Sequence, residues 1–136
     1  MSRLTVNVDG GSRGNPGPAG IGIVVRDGSG EVVAEAGETI GVATNNVAEY
    51  RALLRGIELA AEHGATELEL VGDSQLVVQQ VAGGYKVKHA GLKPLHEEAK
   101  RALREFDSWS IRHVPRAENA DADRLVNQAL DGAVDG

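Results

Sequence analysis

Four carboxylic acids stand where secondary-structure elements of this sequence are predicted to begin or end. Asp9 and Asp73 each follow an apolar run typical of a β-strand, whereas Glu49 and Asp123 fall in the first turn of predicted helices. Strand ends and the helix starts that face them converge at one edge of many mixed α/β sheets, where such proteins bind ligands. From spacing alone, the alternative that each acid is an ordinary cap or solvated residue among 20 acidic residues stays open.

Convergence of these acids would require cations. Carboxylates a few ångströms apart raise one another's pKa, and a set of oxygen ligands in a chain without cysteine suits Mg²⁺ or Mn²⁺. The formal net charge of −6 on its own argues against a nucleic-acid partner, because nucleic-acid affinity depends on lysine and arginine. Bound cations would make the site locally positive, so a metal is the condition for any nucleic-acid partner.

The elements that must position these acids follow from hydrophobic periodicity. Strands are predicted over 4–9, 21–26, 31–40, 67–71 and 109–114. Helices are predicted over 46–62, 75–81, 92–106 and from 119 or 120 to about 130. Five glycines and two prolines between Gly10 and Gly20 predict a sharp turn directly after Asp9. The order of elements predicts an α/β fold in which a mixed sheet starts with an antiparallel meander.

Length and composition limit the organisation of the chain. Its 136 residues fit one domain over 1–131, followed by a frayed tail or linker over 132–136. There is no cysteine, no signal-peptide pattern at the N-terminus and no apolar run near the ~20 residues of a membrane span. We therefore expect a cytoplasmic protein without a membrane partner.

Four sequence blocks surround the four acids. They are Asp9-Gly-Gly-Ser-Arg-Gly-Asn15-Pro-Gly17, Thr44-Asn-Asn-Val-Ala-Glu49, Gly72-Asp-Ser-Gln75 and Arg116-Ala-Glu-Asn119-Ala-Asp-Ala-Asp123. In order and element context they resemble the signature blocks of ribonuclease H, type 1, over about residues 3–130. The resemblance implies a ribonuclease H-like fold: a five-stranded mixed sheet, with an antiparallel β1-β2-β3 meander and then parallel additions, flanked by about four helices.

The resemblance also implies an activity and a set of site residues. The family's activity is sequence-independent, two-metal-ion hydrolysis of the RNA strand of RNA–DNA hybrids, which leaves 5′-phosphate and 3′-hydroxyl ends and uses Mg²⁺ or Mn²⁺. By position, the catalytic and metal-binding residues are Asp9, Glu49, Asp73 and Asp123. The matching substrate-binding positions are Gly10, Gly11, Ser12, Asn15, Asn45, Asn46, Gln75, Arg116 and Asn119. Amides and bare backbone suit contacts to 2′-hydroxyls that do not depend on base sequence.

Two departures from the best-known bacterial pattern affect these expectations. The link over 83–91 is too short for the basic handle of many family members, so Lys86, Lys88 and Lys93 either grip the hybrid or are plain solvated charges. His113 has the spacing of a proton-shuttling histidine but lies in a predicted strand, where histidine is more often structural. Arg116 is the better candidate for holding the scissile phosphate.

The short form resembles the archaeal-like and actinobacterial-like branch of the family. This branch implies double-stranded RNA as a further substrate of some members. Some bacterial members continue into a C-terminal phosphatase-like domain, and the sequence leaves that extension open. We expect a monomer.

Two functions of other classes compete with the nuclease. The first is a non-catalytic module that binds hybrid or double-stranded RNA, against which the presence of all four acids argues. The second is a mononucleotide cradle made by the glycine-rich segment. That segment lacks the Gly-Lys-Ser/Thr of a phosphate-binding loop, and Asp9 before it would repel a phosphate.

Overall fold

A five-stranded mixed sheet organises the chain in the computed structural model, which describes residues 2–135. The strands are β1 (Arg3–Ser12), β2 (Gly17–Arg26), β3 (Val32–Ala43), β4 (Glu67–Gly72) and β5 (Ser108–His113). Their spatial order is β3-β2-β1-β4-β5, in which β1, β2 and β3 are antiparallel and β4 and β5 continue the sheet in parallel. The predicted fold class is confirmed.

Within residues 2–135, four α-helices cover the two faces of this sheet. They are α1 (Asn45–Glu62), α2 (Gln75–Ala82), α3 (Lys93–Leu103) and α4 (Ala120–Asp135), with a 3-10 helix over Arg116–Asn119 before α4. Helix α1 packs on β1 and β2 and contacts α3, whereas α4 packs on β2 and β3. No helix within residues 2–135 combines the length and the apolar character needed to cross a membrane.

The main core lies between α1 and the sheet and is built from aliphatic side chains. Helix α1 contributes Leu53 and Ile57, which pack among strand residues such as Val6 and Ile23. Tyr50 is the largest side chain that is fully buried. Alternate residues of a strand face opposite sides, so the apolar positions of β1 meet α1 while the polar positions between them face away.

Glycines in the strands allow the helix backbones to approach the sheet directly. A Cβ atom on Gly10 would lie 2.2 Å from the carbonyl oxygen of Ala48 in α1. A Cβ atom on Gly22 would lie 2.1 Å from the carbonyl oxygen of Ala122 in α4. Neither position has room for a side chain, and the two contacts lie on opposite faces of the sheet because Gly22 pairs with Asp9, the neighbour of Gly10.

The turn predicted directly after Asp9 begins later in the structure and is shorter than predicted. Strand β1 continues to Ser12 and β2 begins at Gly17, so the turn spans only residues 13–16 and Asp9 lies inside the strand. Gly14, with a φ of 100°, and Gly17 serve this turn, whereas Gly10 admits the backbone of α1 and Gly11 lies opposite Gly20 in the paired strands.

Two helix ends also differ from the predictions. Thr44 is the N-cap of α1, since its hydroxyl accepts from the Val47 N–H at 3.2 Å, and Asn45 already belongs to the helix. Glu49 is therefore the fifth residue of α1, one position beyond the first turn. Helix α4 continues to Asp135 instead of ending near residue 130, so the predicted tail is helical as far as that residue; Gly136 lies outside the described residues.

We expect Gly22→Ala to destabilise the protein strongly, because the added methyl group would overlap the α4 backbone at Ala122. The expected loss in the free energy of unfolding is about 1–3 kcal/mol, measured by urea denaturation. Gly28→Ala is the matched control, since no atom lies within 4 Å of the Cβ position there. Equal unfolding midpoints for the two variants would contradict the close contact between α4 and β2.

Candidate active site

A cleft with a volume of about 390 Å³ opens at the sheet edge where β4 ends and β1 passes the start of α1. All four predicted carboxylates, Asp9, Glu49, Asp73 and Asp123, line this cleft. The fold thus brings together acids that lie as much as 114 positions apart in the chain, from residue 9 to residue 123.

Three of the four acids form a tight group. Asp9, Glu49 and Asp73 each offer a carboxylate oxygen, and these oxygens all lie within 4.8 Å of one another. Asp123 lies beside this group, and its Oδ1 accepts from the Arg116 guanidinium at 3.3 Å. The spacing of the three suits a shared cation, because hard divalent ions are bound by oxygen ligands from several carboxylates.

Backbone contacts fix where these side chains lie. The Gly10 N–H donates to Glu49 Oε1 at 3.2 Å, directly beside the place where Ala48 presses on the strand. Asp73 follows the last residue of β4 and precedes Ser74, whose hydroxyl caps α2 by accepting from Val77 N–H at 3.3 Å.

The carboxylate group is electrostatically unfavourable without a counter-ion. Burial, followed by the charge of Asp73, raises the pKa of Asp9 from 3.8 to about 7. Burial, followed by the charge of Asp9, raises the pKa of Glu49 well above its usual value of 4.5. Asp9 and Glu49 are only 7 % and 8 % exposed, so water does little to separate their charges. A divalent cation would offset this repulsion, and the donor set therefore fits one.

Six of the nine predicted substrate-binding residues line the cleft: Gly10, Gly11, Ser12, Asn45, Asn46 and Arg116. Asn45 Oδ1 accepts from the Ser12 N–H at 2.9 Å and from its hydroxyl at 3.1 Å, which joins the end of β1 to the start of α1. Asn15 lies behind this rim, where its Oδ1 accepts from the Asn45 N–H at 3.0 Å.

The structure does not bring the remaining two predicted residues into the cleft lining. Gln75 is exposed at the first position of α2, next to the lining residue Ser74. Asn119 is only 1 % exposed; its Nδ2 donates to the Val8 carbonyl at 2.9 Å, and its Oδ1 accepts from Asn7 Nδ2 at 3.0 Å. The amide thus makes two hydrogen bonds inside the protein, and a role of Asn119 in substrate binding stays a prediction.

Arg116 and His113, the two candidates for assisting catalysis, differ in whether they line the cleft. The Arg116 guanidinium lines the cleft, whereas His113 is an exposed residue at the end of β5 and is absent from the lining.

Comparison with known proteins identifies the family to which the chain belongs. The sequence pattern of the family described as "Reverse transcriptase-like" matches residues 7–129. Ribonuclease HI of Halobacterium salinarum is 51 % identical over 131 residues, which cover 96 % of this chain and 66 % of that protein. Its crystal structure, described as RNase H1, superposes with a TM-score of 0.94 over 96 % of this chain and 98 % of that one. The chain belongs to the ribonuclease H family.

Other family members differ in length and bound partner. Bifunctional protein Rv2228c of Mycobacterium tuberculosis is 50 % identical over 133 residues, covering 96 % of this chain and 36 % of that protein. The chain thus spans about two thirds of the Halobacterium relative and about a third of the mycobacterial one. LC11-RNase H1, solved in complex with RNA/DNA hybrid, has a TM-score of 0.92 at 43 % identity over 96 % of this chain and 99 % of that one.

Sequence reasoning missed several residues that complete this ribonuclease H cleft. They are Ser74, Val126, Asn127 and Leu130. Asn127 follows Asp123 by one helical turn, and its Nδ2 donates to the Asp123 carbonyl at 3.2 Å. The i, i+4 spacing from the predicted acid is the signal that points to it.

A chain of polar contacts links helices α1, α2 and α3. The Tyr50 hydroxyl donates to Gln80 Oε1 at 2.6 Å, and the Gln80 carbonyl lies 3.0 Å from His96 Nε2. The rings of Tyr50 and His96 meet edge to face with centroids 6.4 Å apart. Burial raises the pKa of Tyr50 to about 12, so it remains a donor. His96 is half-buried and structural.

We expect the stability of the metal-free protein to fall as pH rises between about 4 and 7. The folded state keeps a proton on Asp9, with a pKa of about 7, that the unfolded chain releases near 3.8, so this group favours folding least at high pH. Asp9→Asn should remove this pH dependence and raise the free energy of unfolding near pH 8 in EDTA by on the order of a few kcal/mol.

Urea denaturation near pH 5 and pH 8 measures this effect, with Asp107→Asn as the control at an exposed aspartate outside the cleft. An Asp9→Asn variant that loses stability with pH as steeply as the wild type would contradict the raised pKa.

Proposed function

We propose that this chain is an endoribonuclease that hydrolyses the RNA strand of RNA–DNA hybrids without sequence preference. The observation that supports this most directly is the group of three carboxylates within 4.8 Å, in a cleft rimmed by amides and backbone N–H groups. Membership of the ribonuclease H family and the likeness to LC11-RNase H1, which was solved with RNA/DNA hybrid, give further support.

We assign Asp9, Glu49, Asp73 and Asp123 as the residues that would hold two Mg²⁺ or Mn²⁺ ions. Their oxygen-only donor set, the burial of Asp9 and Glu49 and the raised pKa of Asp9 all favour binding of hard divalent cations. When bound, such ions supply an activated water and stabilise the leaving 3′ oxygen of an in-line displacement, which leaves a 5′-phosphate and a 3′-hydroxyl.

The chain's own polar groups would bind and orient the hybrid. The Arg116 guanidinium, 78 % exposed beside Asp123, would hold a phosphate of the scissile strand. Around Ser12 and Asn45, hydrogen-bonding groups face the cleft and suit 2′-hydroxyls, which distinguish RNA from DNA at any base sequence. The Asn15 side chain would position Asn45 by accepting from the Asn45 backbone N–H. Gln75 would extend the contact along the nucleic-acid strand.

Several features of the family remain predictions for this chain. We propose that it acts as a monomer in the cytoplasm, with double-stranded RNA as a second substrate. A C-terminal phosphatase-like domain in a longer form of the protein is consistent with the 36 % of Rv2228c that this chain covers.

The nuclease is tested with a labelled RNA–DNA hybrid in Mg²⁺ or Mn²⁺, beside double-stranded RNA and duplex DNA. We expect cutting of the RNA strand that EDTA abolishes, because the carboxylates need the cation. Asp9→Asn should abolish it as well, while Asp107→Asn, outside the cleft, should cut like the wild type. A wild type that binds hybrid tightly but cuts it with neither metal would overturn the proposal in favour of a non-catalytic binding module.

Metal binding is tested separately by thermal unfolding. Addition of Mg²⁺ or Mn²⁺ should raise the Tm of the wild type, since a ligand that binds only the folded state stabilises it. The rise should be larger near pH 8 than near pH 6, because Asp9 with a pKa of about 7 loses its proton between these values. EDTA should reverse the rise. An equal increase in Asp9→Asn would show that the ion binds elsewhere.

A further inference from the structure

The four carboxylates of the cleft come from two parts of the fold. Asp9, Glu49 and Asp73 lie on β1, on α1 and directly after β4, elements that pack around the main core. Asp123 instead lies in α4, which packs on the face of the sheet opposite to α1. Arg116 belongs to the same region, since it begins the 3-10 helix before α4. The position of this region relative to Asp9 therefore decides whether the cleft is complete.

A chain of side-chain hydrogen bonds joins this region to the sheet. Asn119, the last residue of the 3-10 helix, donates from Nδ2 to the carbonyl of Val8, the residue before Asp9, at 2.9 Å. Asn119 Oδ1 accepts from Asn7 Nδ2 at 3.0 Å, and Asn7 Oδ1 accepts from Arg26 Nη1 at 3.4 Å. We call the three side chains of Arg26, Asn7 and Asn119 the amide relay. It runs from β2 through β1 to the start of α4.

The amide relay has a single direction, because its two ends fix it. A guanidinium can only donate hydrogen bonds, and a backbone carbonyl can only accept them. Arg26 therefore binds the oxygen of the Asn7 amide and leaves its NH₂ group facing Asn119. Asn119 in turn presents its oxygen to Asn7 and its NH₂ group to the Val8 carbonyl. A residue at position 7 that cannot both accept and donate breaks the relay.

The arginine of the relay also holds α4 at a second point. Its Nη2 donates to Asp121 Oδ2 at 2.6 Å, so the two arms of one guanidinium contact Asn7 and Asp121. Asn119, which is buried, and Asp121 flank Ala120, the first residue of α4. The start of α4 is therefore tied to β1 and β2 directly before the residue that carries the fourth carboxylate, Asp123.

Arg26 and Asn7 lie outside the four sequence blocks that surround the acids. Both line a separate cavity of about 340 Å³, and in the part of the chain that the structure describes this cavity shares no lining residue with the cleft. The two side chains thus act on the site through the position of Asn119. Asp123 follows Asn119 by four residues, about one helical turn, and Arg116 precedes it by three.

We propose that the amide relay positions the fourth carboxylate, Asp123, against the other three, with Asn7 as its central member. The same contacts place Arg116, which precedes the same helix. This inference rests on the proposed function, since it takes the four carboxylates as the site of the nuclease. Asn7 is a positioning residue, whose effect on the reaction passes through Asn119.

The test breaks the relay at two places, each with a matched control. Asn7→Leu replaces the amide by an apolar group of similar size and adds no charge. Thr5→Val is its control, because Thr5 lies two residues earlier on the same face of β1 and outside the relay. Arg26→Lys is a milder break, since one ammonium group does not reproduce the two arms of a guanidinium. Its control is Arg124→Lys, which changes another arginine paired with Asp121.

The first measurement is amide hydrogen exchange, which needs neither metal nor substrate. We expect Asn7→Leu to raise exchange over residues 116–126 by about tenfold more than exchange over α1, because the start of α4 opens locally. Arg26→Lys should give a smaller rise over the same residues, and both controls should exchange like the wild type. Wild-type exchange over 116–126 in both relay variants overturns the inference. A rise of equal size in α1 also overturns it, because the variant would then be less stable as a whole.

The second measurement is the cleavage of a labelled RNA–DNA hybrid, under conditions in which urea denaturation shows every variant to be folded. Asn7→Leu should lower kcat by about 10–100-fold, the usual cost of removing a partner that orients a metal ligand, and should need more Mg²⁺ for its half-maximal rate. KM should stay close to the wild-type value, because the rim formed by Ser12 and Asn45 lies outside the relay. A rise in KM alone overturns the inference.

The two measurements together separate this inference from the proposed function. If the wild type cuts no hybrid while exchange over 116–126 rises in Asn7→Leu, the nuclease fails and the positioning role of the relay stands. If the wild type cuts hybrid and Asn7→Leu cuts it with the same kcat, the nuclease stands and the relay fails.

Discussion

The cleft depends on two places where a helix backbone touches a strand that has no side chain. Gly10 lets α1 approach until the Ala48 carbonyl is in contact with β1, and Gly22 does the same for Ala122 of α4 on the other face. The residues that follow these alanines are the acids Glu49 and Asp123. Both acids are therefore positioned by contacts between backbones, which cannot adjust as side-chain rotamers can.

The same geometry creates an electrostatic conflict that the fold must tolerate. Asp9 lies inside a central strand, and its carboxylate is buried beside two others. Stability comes from elsewhere: an aliphatic core under α1, and the hydrogen bonds of Gln80 with Tyr50 and with His96, which fix α2 against its neighbours. The parts that stabilise the fold are thus separate from the carboxylate cluster. Many binding sites are built in this way, with a rigid and well-packed scaffold that holds groups which would not cluster on their own.

Sequence reasoning could predict the order of strands and helices because apolar periodicity is strong in this chain, and it selected the four acids from their blocks. It failed where one residue type serves two physical purposes. Gly10 directly after Asp9 favours a turn by local rules, but its tertiary role is to admit α1, and β1 continues to Ser12. Asn119 belongs to a signature block, yet its amide forms hydrogen bonds inside the protein with the Val8 carbonyl and the Asn7 side chain. Only the packed structure distinguishes such cases.

The unfavourable carboxylate cluster has an evolutionary consequence. Neutral replacements at Asp9 would make the unliganded protein more stable, so a lineage under selection for folding alone would drift towards them. Random substitution would reach such a replacement easily, since a single base change converts an aspartate codon to an asparagine codon. Selection for binding, in which the charge of this buried acid is used, would oppose that drift.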